Sequence, residues 1–248
     1  MNARIKRPEL RPDGNGQPKA QWAYNVIRDA IITMALEPGT MLSEKETCAK
    51  LGISRTPMRE AVLRLAQEGL VNVVPSGGTF ISKISVRGVI EGQIVRSSLE
   101  LRMVRLAART YDPVFDKDFD LLMFLQGDAA KRQDHDEAFS VDNAFHQLVS
   151  RAAGFPNVWH TIRNATGQLD RVRRRAYPKS GYFDEVVEEH RAIYEAIRAH
   201  NEDEAYRLLR QHLDDIEQVL AFVVAEDPGI VVQEENAGIL DALITPRG

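Results

Sequence analysis

The chain has 248 residues, 44% of them hydrophobic, which is room for one large domain or two modest ones with real cores. Its single cysteine, Cys48, excludes an intrachain disulfide framework and a thiolate metal cluster. No apolar run approaches the ~18 residues of a membrane span, and "MNARIKRPELRPDG" lacks the apolar centre of a signal peptide, so a cytoplasmic protein with no membrane partner is expected. The net charge of −4 is uneven: residues 1–84 carry 12 basic and 8 acidic side chains, leaving 20 and 28 for the remainder. A basic front on an acidic body is compatible with nucleic-acid binding by the front.

Residues 1–18, with three prolines, two glycines and many charges, read as a flexible tail. "QWAYNVIRDAIITMAL" is then a helix with Val26, Ile27, Ala30, Ile31 and Met34 on one face, stopped by Pro38 and Gly39. In "SEKETCAKLG", Ser43 and Glu46 fit a capping box, Cys48 reads as a small core residue, and Gly52 serves as a left-handed stop. "RTPMREAVLRLAQEG" turns Met58, Ala61, Val62 and Leu65 inward and ends at Gly69, with Leu70 placed to pack back on Leu65. Two short helices joined by a tight glycine turn form a helix-turn-helix candidate. On the outward face Arg55, Thr56 and Arg59 occupy the first turns of the second helix. That is the part of a recognition helix that enters the major groove, and Arg can bond guanine O6 and N7 together. "LVNVV" and "TFIS" then make two short β runs around a turn holding Gly77 and Gly78, which is the wing of a winged helix.

The run "LEPGTMLSEKETCAKLGISRTPMREAVLRLAQEGLVNVVPSGGTFIS" resembles the winged helix of GntR-type bacterial transcription regulators. The resemblance rests on the Leu-x-Pro-Gly turn, the Ser-Glu helix start, "LGISRTPMREAVLRL" and "EGLV…GG". It implies that Lys45, Arg55, Thr56 and Arg59 face DNA, with Gly77 and Gly78 at the wing tip. One departure is Cys48 before Ala49, where the family usually has leucine; it changes packing only.

From Ser85 to about Ala225 the texture changes to long helical periodicities without strand alternation. Segments near 85–111, 114–133, 136–153, 156–177, 182–200 and 202–225 should pack as an antiparallel bundle, leaving 227–248 as an arm or tail. The expected fold class is therefore mainly α: a winged helix over 19–84, then an all-helical domain over 85–226. In "FSVDNAFHQLVSRAAG", Asp142 and His146 lie one turn apart on the same face as Phe139, Phe145, Val149 and Ala153. His190 and His212 likewise fall on the apolar stripes of "VVEEHRAIYEAI" and "LLRQHLDDIEQVL", and Arg96 shares a face with Leu99, Met103 and Leu106. A single such histidine is more often a hydrogen-bonded core residue than a ligand. Three with a carboxylate suit Zn²⁺ or another first-row divalent ion such as Ni²⁺ or Mn²⁺. His135, His160 and His200 fall off the pattern; His200, in "AHNED", reads as a surface or capping residue.

Stretches "VRSSLELRMVRLAA", "DNAFHQLVSRAAG", "EEHRAIYEAI" and "AYRLLRQHL" resemble the FCD ligand-sensing domain of the FadR-type subfamily, in order over most of 90–220. That resemblance implies a metal site of Asp142, His146, His190 and His212, with Arg96 holding a small organic or sugar acid. Asn164 faces the same pocket by helical phase. The whole reads as a homodimeric regulator, not an enzyme, that binds a pseudo-palindromic DNA operator and represses until the acid binds. Two alternatives stay open: a metal-free pocket with structural histidines, and a metalloenzyme, for which Glu189 is the nearest candidate base.

Overall fold

The computed structural model describes residues 18–176, 182–214 and 216–232. The expected tail thus lies outside the described residues except for Pro18, and the expected arm is described only as far as Val232. Helix α1 (Lys19–Ile32) buries Ala23, Tyr24, Ile27, Ala30 and Ile31. It stops earlier than its apolar pattern suggested. Thr33 caps it, Met34 takes a left-handed backbone (φ 60°), and the Leu36 N–H returns to the Ala30 carbonyl at 2.9 Å. The turn delivers Leu36 into the core in place of Met34, which packs instead against a separate cluster around Ile84 and Val86.

A two-residue strand β1 (Met41–Leu42) precedes α2 (Glu44–Leu51). The Ser43 side chain accepts the Glu46 N–H at 3.3 Å, and Gly52 ends α2 at φ 68°. Ser43→Ala is expected to cost about 1 kcal/mol of stability, read as a lowered urea midpoint with an unchanged slope; an unchanged midpoint would remove the cap from the account. Helix α3 (Arg55–Gln67) buries Met58, Ala61, Val62 and Leu65, the stripe expected of it. Strands β2 (Val71–Val74) and β3 (Gly78–Ile81) pair antiparallel with Val71 opposite Ile81 and Val74 opposite Gly78. β1 pairs with the other edge of β3, giving the order β1-β3-β2. Two residues are too few to show alternation, so β1 left no sequence signal. The wing turn needs its glycines: a Cβ on Gly77 would meet Val74 Cγ1 at 2.8 Å, and Gly78 sits at φ 107°.

Eight α-helices follow: α4 (Val86–Arg109), α5 (Asp116–Arg132), α6 (His135–Ala152), α7 (Val158–Ala165), α8 (Gly167–Ala176), α9 (Tyr182–Arg198), α10 (Glu202–Leu213) and α11 (Ile216–Glu226). Two segments expected as single helices, 156–177 and 202–225, are each divided. The reason is that each serves two cores. α10 turns Ala205, Leu209 and Leu213 into the main core with Phe119, Phe145 and Tyr194, whereas α11 buries Leu220 and Val223 with Ile84, Val86, Leu169 and Val172. One straight helix cannot supply both. At the α7–α8 break, Gly167 lies so close to Leu70 that a Cβ there would meet its Cδ2 at 3.0 Å.

That break brings α8 onto the winged helix. The Gln168 amide donates to the Gly69 carbonyl at 2.7 Å, and Arg28 of α1 donates to the Arg163 carbonyl at the end of α7 at 2.8 Å. The chain's later part returns to the same seam, where Val231 is buried and Ile84 N–H meets the Ile230 carbonyl at 2.8 Å. Among the described residues no helix is long and apolar enough to cross a membrane.

Candidate functional site

Inside the helical domain α6 supplies Asp142 and His146, α9 supplies His190 and α10 supplies His212. One ligand atom from each lies within 4.8 Å of all the others. His146 Nε2 is 4.0 Å from an Asp142 oxygen, His190 Nε2 is 3.8 Å from the other, and the Nε2 atoms of His190 and His212 are 3.3 Å apart. What faces outward decides what faces inward. His146 Nδ1 lies 2.6 Å from Glu100, His212 Nδ1 is 2.7 Å from Glu189, and His190 Nδ1 is 3.0 Å from Gln126 Oε1. Each of these oxygens is an acceptor, which favours the tautomer with the proton on Nδ1 and the lone pair on Nε2.

With both rings neutral, the Nε2 lone pairs of His190 and His212 face each other at 3.3 Å. Two lone pairs facing each other call for a cation. The 3.3 Å between them would let one ion bond both nitrogens at ~2.0–2.1 Å. The donor set and its outer partners therefore fit a divalent metal. Two guanidiniums also reach in: Arg96 spans Glu100 (2.8 Å) and His146 Nε2 (2.8 Å), and Arg173 of α8 bonds Asp142.

Burial and charge hold these groups in ligand form. Burial drives the imidazoles of both His146 and His190 below the ordinary histidine range, His190 far below. Burial opposes ionisation of Asp142, but Arg173 and the imidazoles outweigh it and keep the carboxyl well under the usual range. Glu100, also buried, is brought down to about 2 by Arg96 and His146. These shifts predict acid sensitivity of the metal-free chain. Unfolded histidines take up protons near pH 6.5, whereas folded His146 and His190 resist protonation until the pH is lower. The unfolded state binds more protons below that pH, so stability falls as pH falls. Between pH 7.5 and 5.5 each imidazole that stays neutral in the folded chain removes about 1 kcal/mol. Urea midpoints equal at the two pH values would contradict the assignment of neutral buried imidazoles.

The structure brings all four expected ligand residues and Arg96 together. Asn164 is corrected: it lies exposed on α7 and does not join them, because the α7–α8 break rotates the phase on which it was placed. Arg173 and Gln126 went unread in the sequence. Gln126 had a signal, as the one polar residue on the buried stripe of Phe119, Met123 and Ala129; Arg173 was masked in the run "RVRRR". Glu189, weighed as a catalytic base, is the outer partner of His212. His200 accepts a capping role, with Nδ1 2.9 Å from the Ala108 carbonyl at the end of α4. Cys48 is half-buried at the edge of the front core.

On the winged helix, Arg55, Thr56 and Arg59 are exposed on the first turns of α3, Lys45 is exposed on α2, and Gly77 and Gly78 are exposed in the wing turn. Thr79 Oγ1 donates to Glu44 at 2.9 Å and ties the wing to α2. Residues 19–81 match the family of bacterial regulatory proteins called gntR, and residues 93–215 match the FCD domain. An HTH-type transcriptional regulator in an unstable DNA locus of Streptomyces ambofaciens is 36% identical over 211 residues, spanning 84% of this chain and 89% of its own. The chain belongs to the GntR family. The HTH-type transcriptional repressor RspR of Escherichia coli K12 is 32% identical over 202 residues, with 82% of this chain and 89% of its own covered. The solved structure of E. coli McbR/YncC superimposes with a TM-score of 0.73 at 21% identity over 85% of this chain and 99% of that one, a likeness of fold. This GntR-family protein is a DNA-binding transcription regulator with an FCD domain, not an enzyme.

Proposed function

We propose that this GntR regulator is a cytoplasmic homodimeric repressor whose hold on a pseudo-palindromic operator is set by a small organic or sugar acid. Arg55, Thr56 and Arg59 read each half-site from the major groove, Lys45 and the wing tip at Gly77 and Gly78 meet the backbone, and dimer symmetry matches operator symmetry. Asp142, His146, His190 and His212 hold a divalent ion, zinc first by donor set, with nickel or manganese as further candidates. Bound there, the ion supplies open coordination positions for carboxylate oxygens. Arg96, already inside the cluster, can turn its fork to the same carboxylate. The relative named a repressor supports that direction of control.

The observation that carries this reading is the set of three Nε2 lone pairs and a carboxylate converging inward, with every Nδ1 engaged from outside. A second reading, a metal-free hydrogen-bonded core, is favoured by the guanidiniums already resting on His146 and Asp142. It requires a proton on His212 Nε2 to join the facing nitrogens of His190 and His212. The two separate on metal content of untagged protein, wild type beside His190→Ala, with a thermal-shift screen of small organic acids. About one divalent ion per chain, lost in the variant, with stabilisation by one class of acid only when metal is present, is expected. No metal in the wild type would sink the ion-dependent reading.

A further inference from the structure

Arg173 does more than touch Asp142. Its other terminal nitrogen lies 3.3 Å from Asp170 Oδ1. Asp170 Oδ2 in turn accepts from Arg28 of α1 at 3.3 Å, and Arg28 Nε donates to Glu68 at 3.1 Å. Glu68 is the residue that caps the C-terminus of α3, where it also takes the Tyr24 hydroxyl. The row Asp142–Arg173–Asp170–Arg28–Glu68 thus alternates in sign from the ligand cluster to the tail end of the helix that carries Arg55 and Arg59. Every side chain in it is less than one-tenth exposed.

Such burial is costly unless each charge keeps its partners, and charges in a dry setting feel one another far more than they would in water. A row of this kind resists change at one link and passes it on. Glu68 also fixes a rigid lever, since α3 is one continuous helix of 13 residues. Arg64, in its last turn, stacks on the Tyr24 ring at 3.9 Å.

We propose that Arg173, Asp170, Arg28 and Glu68 are positioning residues that couple the engagement of the Asp142 carboxylate to the seating of α3 on α1. The proposal deepens the ion- and acid-controlled reading above and rests on it for its physiological trigger. When Asp142 shares its oxygens with a cation, Arg173 turns toward Asp170. Asp170 then holds Arg28 less, and Arg28 turns by the same step to Glu68 and tightens its anchor. Coupling of this kind is a difference in free energy between two arrangements, so it must appear as non-additivity along the row.

The test is amide hydrogen exchange on the full metal-free chain for wild type, Asp142→Asn, Asp170→Asn and the double variant. Asp142→Asn is expected to slow exchange over residues 64–70 about fivefold or more, and to add nothing in the Asp170→Asn background. An unchanged or faster rate at 64–70, an effect that persists in that background, or an equal change throughout α2 and α10 would each overturn the coupling. Should Asp170→Asn fail to fold, Glu68→Gln replaces it, cutting the last ion pair at nearly constant size. Adding Zn²⁺ to wild type separates the two claims. Failure to bind overturns the metal centre and leaves the metal-free cycle as it stands. Binding that leaves exchange at 64–70 untouched or speeds it overturns the coupling, and binding that slows it supports the row.

Discussion

His190→Ala is expected to lower the affinity for Zn²⁺ by roughly a hundredfold to a thousandfold. Four protein ligands together supply about 10–16 kcal/mol in small zinc sites, so one imidazole accounts for about 3–4 kcal/mol. Gln126→Ala should produce a smaller loss, about tenfold to a hundredfold, because Gln126 only orients the ring by accepting from Nδ1 at 3.0 Å. The gradation distinguishes a metal ligand from a core histidine. His190 is fully buried and stacks on Phe145 at 4.0 Å, so its loss also leaves a cavity and destabilises the metal-free chain. A chelator-competition titration reads affinity apart from that destabilisation. Equal affinity in wild type and His190→Ala would remove His190 from the ligand set.

The ligands were legible because burying an ionisable side chain on an apolar stripe is expensive, and the stripe itself is periodic. Asp142, His146, His190 and His212 each broke such a stripe, so their positions along the chain already pointed inward. The residues around them were less legible for a matching reason. Glu100 and Glu189 sit where a helix meets solvent in the one-dimensional pattern, and only the packing of neighbouring helices closes over them. Arg173 lies in a run of arginines on which no stripe can be counted. The front domain showed its helices through caps and stops such as Ser43 and Gly52, whereas β1 was too short to alternate. The division of 202–225 into α10 and α11 follows from the existence of two cores, and the number of cores is a property of the folded chain.

Arg59→Ala is expected to weaken operator binding more than any other single change on the DNA face. Selection from a random DNA pool with wild-type protein supplies the operator for the measurement. A bidentate arginine–guanine contact discriminates by about 1–3 kcal/mol. In the proposed symmetric dimer the contact is lost in both half-sites, so the total is about 2–6 kcal/mol, or roughly thirtyfold to twenty-five-thousandfold. Arg59 lies one turn beyond Arg55, and among the described residues neither is drawn into an ion pair. Their forks are therefore available without breaking another interaction. Lys45→Ala, which removes only charge near the backbone, should weaken all sequences alike and flatten the dependence on salt by about one unit of slope per half-site. The two variants thus differ in kind as well as in size. Arg59→Ala changes which base is preferred at one position of each half-site, while Lys45→Ala leaves the preference intact. If Arg59→Ala lowered affinity uniformly with an unaltered base preference, Arg59 would be a phosphate contact, and the reading of sequence would fall to Arg55 and Thr56.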